Sequence, residues 1–120
     1  MEASSVGQRM KAGYLRHRIK FQWLAPGVDP ETQEPLPGVW VDVVTVWASI
    51  EPLSGREFIA AQAVQSEVVG RIVIRRRTDI MAQMRGLYRD QVYNIQGVLP
   101  DPKSGLDYLT LPYSLGVNDG

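Results

Sequence analysis

Alternating apolar and polar residues dominate the chain and predict a protein made mostly of β-strands. Ile19, Phe21 and Trp23 alternate with polar residues over 18–23, which predicts a half-buried strand with these three side chains in the core. A β-branched and aromatic run over 39–50 predicts a second strand. Its apolar residues occur at both parities, which indicates either two covered faces or a β-bulge that shifts the parity midway.

Later segments repeat the strand pattern and are separated by turn signals. In the first of these segments, Ile72 and Ile74 occupy positions that face the core. Arg71, Arg75 and Arg77 occupy the alternate positions and predict an exposed arginine ladder. Arg89 and Asp90 predict a tight hairpin turn between two of the strands. The predicted strands cover 67–77, 84–88, 91–98 and 106–111, with a turn-rich loop over 99–105.

One segment has helical rather than strand character. Ser54 and Glu57 stand three residues apart, the spacing of a capping box, and an apolar run follows. We therefore expect a helix of two or three turns over 54–64. Its buried side is predicted to carry Phe58, Ile59 and Ala63.

The segment over 25–38 has the composition of a long loop. Proline lacks the backbone donor and fixes φ, so four prolines here argue against regular pairing. The length exceeds that of ordinary hairpin loops, which leaves two readings open, a functional loop and a mobile connector. Its prolines and acids are Pro26, Asp29, Pro30, Glu31, Glu34, Pro35 and Pro37.

These elements together predict a mainly β fold, a small antiparallel β-barrel or sandwich of five to six strands. It carries one short α-helix and a long loop between the first two strands. A length of 120 residues suits one domain. We expect this domain over 10–112, a disordered extension over 1–9 and a flexible tail over 113–120.

Composition excludes several function classes. The 13 basic and 13 acidic residues balance, so no global field draws the chain to nucleic acid or to a membrane. The charge is nevertheless segregated, with basic runs over 9–20 and 71–89 and an acidic C-terminal part. The absence of cysteine excludes disulfides and thiol chemistry, and a single histidine excludes a His-rich metal site. We expect a non-enzymatic cytosolic protein without a cofactor.

The tryptophans and arginines permit more than one interpretation. Trp23, Trp40 and Trp47 are more often core residues or interface anchors than a ligand box, and at least one is expected at an interface. The arginine ladder could contact phosphates, although a solvated face or a protein contact is favoured because the ladder carries no interleaved aromatics.

Three blocks of sequence resemble the phage head–tail joining family, which comprises head-closure (stopper) and head–tail adaptor proteins of tailed bacteriophages and prophages. The blocks are residues 15–19, 47–57 and 72–77, and the similarity extends through Val92-Tyr93-Asn94-Ile95 to cover about 10–112. Asp90 departs from the family, whose members tend to have Gly at this turn, but Asp also tolerates positive φ.

The resemblance implies a structural virion protein that forms a ring below the portal and adaptor rings, closes the DNA-filled head and offers a platform to tail proteins. The family's channel-closing gate loop would map onto 25–38. The chain would be a monomer alone, assemble in the bacterial cytoplasm and touch packaged DNA without sequence specificity. Together with the acidic C-terminal segment, the predicted subunit contacts are Trp47, Arg56, Arg71, Arg75 and Arg77.

Two alternatives stay open at the level of sequence. A tail-completion or tail-terminator protein could use a similar small β fold. A single-strand nucleic-acid-binding barrel would place stacking aromatics beside a basic groove.

Overall fold

The computed structural model describes residues 15–100 and 107–116, and strands make up most of that part. Within these residues, a single helix lies between the second and third strands. The elements are β1 (His17–Val28), β2 (Pro35–Pro52), α1 (Gly55–Ala63), β3 (Gly70–Arg75), β4 (Arg85–Tyr88), β5 (Gln91–Ile95), β6 (Leu99–Pro100) and β7 (Tyr108–Leu115).

The strands form one antiparallel sheet that closes on itself. The order along the sheet is β3-β2-β1-β4-β5-β7-β6, and an additional pairing of β3 with β7 completes a ring. The two-residue β6 pairs with β7 beyond the end of β5. The predicted mainly β barrel with one short helix is therefore confirmed, with β6 as an extra short strand.

Alternate residues of the strands fill the barrel. Ile19, Phe21, Ile72, Ile74 and Leu111 are completely buried, and they account for the largest such side chains among the described residues. The core parity predicted for β3 is thus confirmed. Closure leaves these barrel strands without a free edge along most of their length.

A β-bulge corrects the predicted core of the first strand. Phe21 pairs with Val44 and Gln22 pairs with Asp42, so Val43 is an extra residue in β2. The bulge reverses the parity that follows it, as the pattern of β2 had allowed. Gln22 is consequently buried, and Trp23, predicted to be in the core, is 41% exposed.

The turn between β4 and β5 has the predicted form. Tyr88 pairs with Gln91, which leaves Arg89 and Asp90 as the two central residues. Their φ angles are 50° and 65°, as a type I′ hairpin turn requires.

The end of the last strand lies beyond the predicted domain boundary at 112. β7 continues to Leu115, and Tyr113 and Ser114 are buried within it. Pairing with β5 extends the strand, because Ile95 pairs with Tyr113 and the Gln96 side-chain amide donates to the Ser114 hydroxyl. The prediction of a flexible tail was therefore wrong for 113–115, whereas 117–120, like the predicted extension over 1–9, lies outside the described residues.

The predicted long loop over 25–38 is also corrected, because most of it is paired. β1 and β2 continue as an antiparallel ladder as far as the pair of Val28 with Pro35, with a second irregularity between Ala25 and Gly27. A two-stranded ladder leaves every second N–H of each strand unpaired on its outer edge, and proline is tolerated at such positions. Only residues 29–34 connect the strands.

Candidate assembly surfaces

A two-stranded ribbon, residues 23–28 and 35–41, extends from the barrel. β1 pairs with β4 only as far as Gln22, and β2 pairs with β3 only from Ala48 onward. The ribbon strands therefore pair only with each other and extend roughly 20 Å, at about 3.3 Å per residue. The molecule measures 65 Å along its longest axis and 32 Å across the next.

The sides of the ribbon are apolar although they are exposed. Val39 is 64% exposed, and four further large apolar side chains of the ribbon are at least 40% exposed. Exposed apolar groups concentrated on one projection are typical of a protein contact surface. The four are Trp23, Val28, Leu36 and Val41.

The acidic tip, residues 29–34, is an ordered turn. The Asp29 carboxylate accepts hydrogen bonds from the backbone N–H groups of Glu31 (2.8 Å) and Thr32 (3.3 Å), and the Asp29 N–H donates to the Glu34 carbonyl (2.9 Å). Gln33 takes a φ of 63° to close the turn. The tip contains three acids and no base, and all its residues but Asp29 are exposed.

Polar contacts hold the base of the ribbon against the barrel. The buried Gln22 donates to Asp42 (2.6 Å) and accepts from Arg85 (2.9 Å), and the Arg85 guanidinium lies 4.1 Å from the centre of the Trp40 ring. The hydrogen bond from Gln22, followed by attraction to Lys20, holds the pKa of Asp42 below its ordinary value. These contacts fix the direction in which the ribbon projects.

A basic cleft lies at the other end of β2. It has a volume of about 680 Å³. Trp47 is 51% exposed in its wall, and Arg18, its partner on β1, lies 5.0 Å from the ring centre in a cation–π contact. The residues that line the cleft are Leu15, Arg16, Thr45, Val46, Trp47, Arg75 and Arg77.

Three of the predicted subunit-contact residues, Trp47, Arg75 and Arg77, thus meet in the basic cleft. Arg77 is engaged there by Asp79 (2.9 Å), and this hydrogen bond holds the pKa of Asp79 below its ordinary value. Arg75 is exposed. Of the acids in the C-terminal segment that was predicted to supply subunit contacts together with these arginines, Asp90 and Asp107 are described, and Asp101 and Asp119 lie outside the described residues.

The other two predicted contact residues lie near the helix. Arg71 is bound within its own chain, at 2.6 Å from Glu57 and 3.6 Å from Glu51. Arg56 is exposed on α1.

The capping box of α1 is present as predicted. The Ser54 hydroxyl accepts from the Glu57 N–H (3.2 Å), and the Glu57 carboxylate accepts from the Ser54 N–H (3.0 Å). The latter bond, followed by attraction to Arg71, holds the pKa of Glu57 below its ordinary value. The ion pair between Glu57 and Arg71 of β3 ties the start of the helix to the barrel.

The predicted buried side of the helix was wrong. No residue of α1 is buried, and Phe58 and Ile59 are 42% and 68% exposed. The barrel already closes without the helix, so no apolar wall is left for it to cover. α1 is a second exposed apolar surface.

No feature of the sequence indicated that Arg16 and Arg18 lie close to Trp47. The arginine ladder was expected to be nearly bare of aromatics, and this expectation was wrong because Trp47 lines the same cleft as Arg75 and Arg77. The alternation at 16–18 indicates that Arg16 and Arg18 face outward, but it does not indicate which residues of β2 they pair with.

Neither a metal site nor a membrane-spanning helix is found in the described part of the chain. Within 15–100 and 107–116, no group of three acidic or histidine side chains is placed to hold a metal ion. Nor does the described part of the chain contain a helix with the length and apolarity needed to cross a bilayer.

Solved structures share this fold. The solution structure of protein SF1141 from Shigella flexneri 2a matches at a TM-score of 0.72 with 34% identity, over 91% of this chain and 99% of that one. A chain from the virion of a native gene transfer agent particle matches at a TM-score of 0.57 with 15% identity, over 87% and 97%. The search of curated proteins found no significant match.

The family assignment rests on the whole domain. The family model for the phage head completion protein matches residues 10–115, which include every described strand and the helix. This match confirms the resemblance to phage head–tail joining proteins. The chain belongs to the phage head completion protein family, whose members are structural proteins of the bacteriophage head.

Proposed function

We propose that the chain is a subunit of a connector ring that closes the DNA-filled phage head and joins it to the tail. Family membership supports a structural role in the head, and the similar fold within a gene transfer agent virion agrees with a place in an assembled particle. The chain would meet portal or adaptor proteins on one side and tail proteins on the other. It would be a monomer before it reaches the head.

One observation carries the ring assignment: the two ends of the molecule are exposed, apolar and unlike in charge. The ribbon has apolar sides and an acidic tip, and the basic cleft has a half-exposed tryptophan among arginines. A ring needs two different faces that meet head to tail, because its interface is heterologous. Tryptophan and arginine are also the residues that most often dominate such contacts.

The test removes the outer part of the ribbon together with the acidic tip and leaves the barrel strands unchanged. Ala25 pairs with Val39, so an Asn-Gly turn can join them directly in place of residues 26–38. We expect the shortened chain to fold, and heads assembled with it to lose packaged DNA and fail to bind tails. Electron microscopy of particles and the amount of nuclease-protected DNA measure this.

Thr32→Ser, which keeps the hydroxyl that accepts from the Glu34 N–H, is the matched control and should give normal particles. Normal yields of infectious particles from the shortened chain would overturn the proposal. Heads that keep their DNA and lack only tails, or tails of uncontrolled length, would favour the alternative of a tail-completion or tail-terminator protein. The gate role of 25–38 stays a prediction that the leakage measurement also tests.

A second candidate function is favoured by Trp47 beside Arg18 and Arg75. An exposed aromatic ring within a basic cleft is the arrangement that stacks single-stranded bases. Titration of a labelled oligonucleotide would show salt-sensitive binding that quenches tryptophan fluorescence and is lost in Trp47→Ala. Absence of binding at low salt would exclude this candidate.

A further inference from the structure

We infer that the acidic tip of one copy docks in the basic cleft of the next copy, and that this contact sets the head-to-tail order of the ring. The inference rests on the proposed ring function and adds its interface. The occupant of the cleft is thus a second copy of this chain, held by both charge and apolar contact.

The acidic side of the contact is pre-organised. The Asp29 carboxylate is used within the turn, so it holds the tip in shape. Glu31 and Glu34 are exposed, and their carboxylates are not engaged in that turn. Val28 and Leu36 flank the tip with apolar surface. A rigid tip loses little conformational freedom when it docks.

The basic side offers matching chemistry. Arg18 and Arg75 are exposed near the ring of Trp47, and Leu15 and Val46 supply apolar wall. Arginine forms planar paired hydrogen bonds with carboxylates, and close charge pairs across an interface fix its register. Arg77 is paired with Asp79, so the attraction to the tip is assigned to Arg18 and Arg75.

The tip cannot reach the cleft of its own chain. Pro35 and Trp47 lie on one extended strand, twelve residues apart, which is roughly 40 Å at about 3.3 Å per residue. The two complementary surfaces therefore lie toward opposite ends of a rigid, paired strand. Complementary surfaces held apart in this way can meet only between molecules, in the head-to-tail manner of a ring.

Disulfide trapping tests the contact directly, because the chain has no cysteine of its own. Glu34→Cys and Arg75→Cys are combined in one chain, and particles assembled with it are oxidised mildly and run on a non-reducing gel. We expect a ladder of covalent multimers. The combination of Glu34→Cys with Glu67→Cys places the second thiol on the exposed connection between α1 and β3 instead and should leave monomers.

The outcomes separate the contact from the ring. Monomers alone, in particles that contain the chain in normal amount, would overturn the docking inference and leave the proposed function standing. If particles are complete and infectious without the chain, the proposed function itself fails. A ladder from the control pair at equal yield would mean unspecific proximity and would also overturn the inference.

Charge reversal gives a second test that does not depend on disulfide geometry. Glu31→Lys with Glu34→Lys makes the tip basic, and Arg18→Glu with Arg75→Glu makes the cleft acidic. Each variant alone should assemble at least about tenfold less well, since close interfacial charge pairs are worth about 1.4 kcal/mol or more. An equimolar mixture should regain assembly, because each tip then meets a cleft of opposite charge.

Thermal unfolding at the wild-type temperature shows that each reversed variant is folded before it is mixed. A mixture that assembles no better than either reversed variant alone would contradict the inference. If instead both variants assemble normally and only oligonucleotide binding is lost in the acidic-cleft variant, the occupant of the cleft is nucleic acid.

Discussion

β1 and β2 run through both the barrel and the ribbon, yet their apolar side chains are buried in the barrel and exposed in the ribbon. In the barrel, Ile19 and Phe21 are completely buried, whereas two residues further along β1 Trp23 is 41% exposed. The change occurs at the bulge formed by Val43. A closed sheet hides its inner face, and a two-stranded ribbon has no inner face to hide.

This difference separates the part that stabilises the monomer from the part whose apolar side chains are left uncovered in a single copy. The barrel closes through the pairing of β3 with β7, and Ile80 and Met84 from the connection between β3 and β4 complete its buried core. The ribbon and α1 carry exposed apolar side chains that contribute little to the fold of one copy. We assign stability to the barrel and propose that the ribbon serves assembly.

The largest expected effect compares Phe21 with Trp23. Phe21→Ala should cost about 3–5 kcal/mol of unfolding free energy, because it leaves a cavity in the centre of the barrel. Trp23→Ala, two residues away, should cost about 1 kcal/mol or less. Denaturant titration of both variants measures the difference, and equal losses would mean that the ribbon is part of the cooperative fold.

A smaller effect concerns α1, which is held by its cap rather than by burial. Ser54→Ala should lower the local stability of the helix by about 1 kcal/mol, because it removes the hydroxyl that accepts a hydrogen bond from the Glu57 N–H. Amide exchange should accelerate in α1 and stay unchanged in β3. Faster exchange in both α1 and β3 would show that the helix unfolds together with the core of the barrel.

The stability of α1 should also depend on pH, through the Glu57 carboxylate. Its pKa is lowered in the folded chain, so the stabilisation is present at neutral pH and is lost as the pH falls below the ordinary glutamate value of about 4.3. Exchange in α1 should therefore rise in acid for the wild type, after correction for intrinsic rates, and depend less on pH in Glu57→Gln. Equal pH dependence of exchange in the two proteins would show that the Glu57 carboxylate does not stabilise α1.

The smallest expected effect is a gain at the β4–β5 turn. Asp90 has a φ of 65°, where a side chain is disfavoured, and Asp90→Gly should add about 0.5 kcal/mol to the stability of the barrel without affecting assembly. Thermal unfolding measures the gain. A loss of stability would show that the Asp90 side chain supports the turn.

Features that depend only on neighbouring residues were predictable from the sequence. The capping box follows from the three-residue spacing of Ser54 and Glu57, the type I′ turn from two residues between strands, and the core face of β3 from alternation at Ile72 and Ile74. Each of these is set by local backbone geometry. Such signals can be read without knowing which strand pairs with which.

Tertiary structure alone decided the parts that depend on register between distant strands. The bulge at Val43 exposed Trp23, and the extended pairing of β1 with β2 turned a proline-rich loop into a ribbon. Register likewise brought Trp47 next to Arg18, and closure of the barrel left α1 without a wall to cover. A shift of one residue in pairing reverses which face a side chain occupies, and composition does not record that choice.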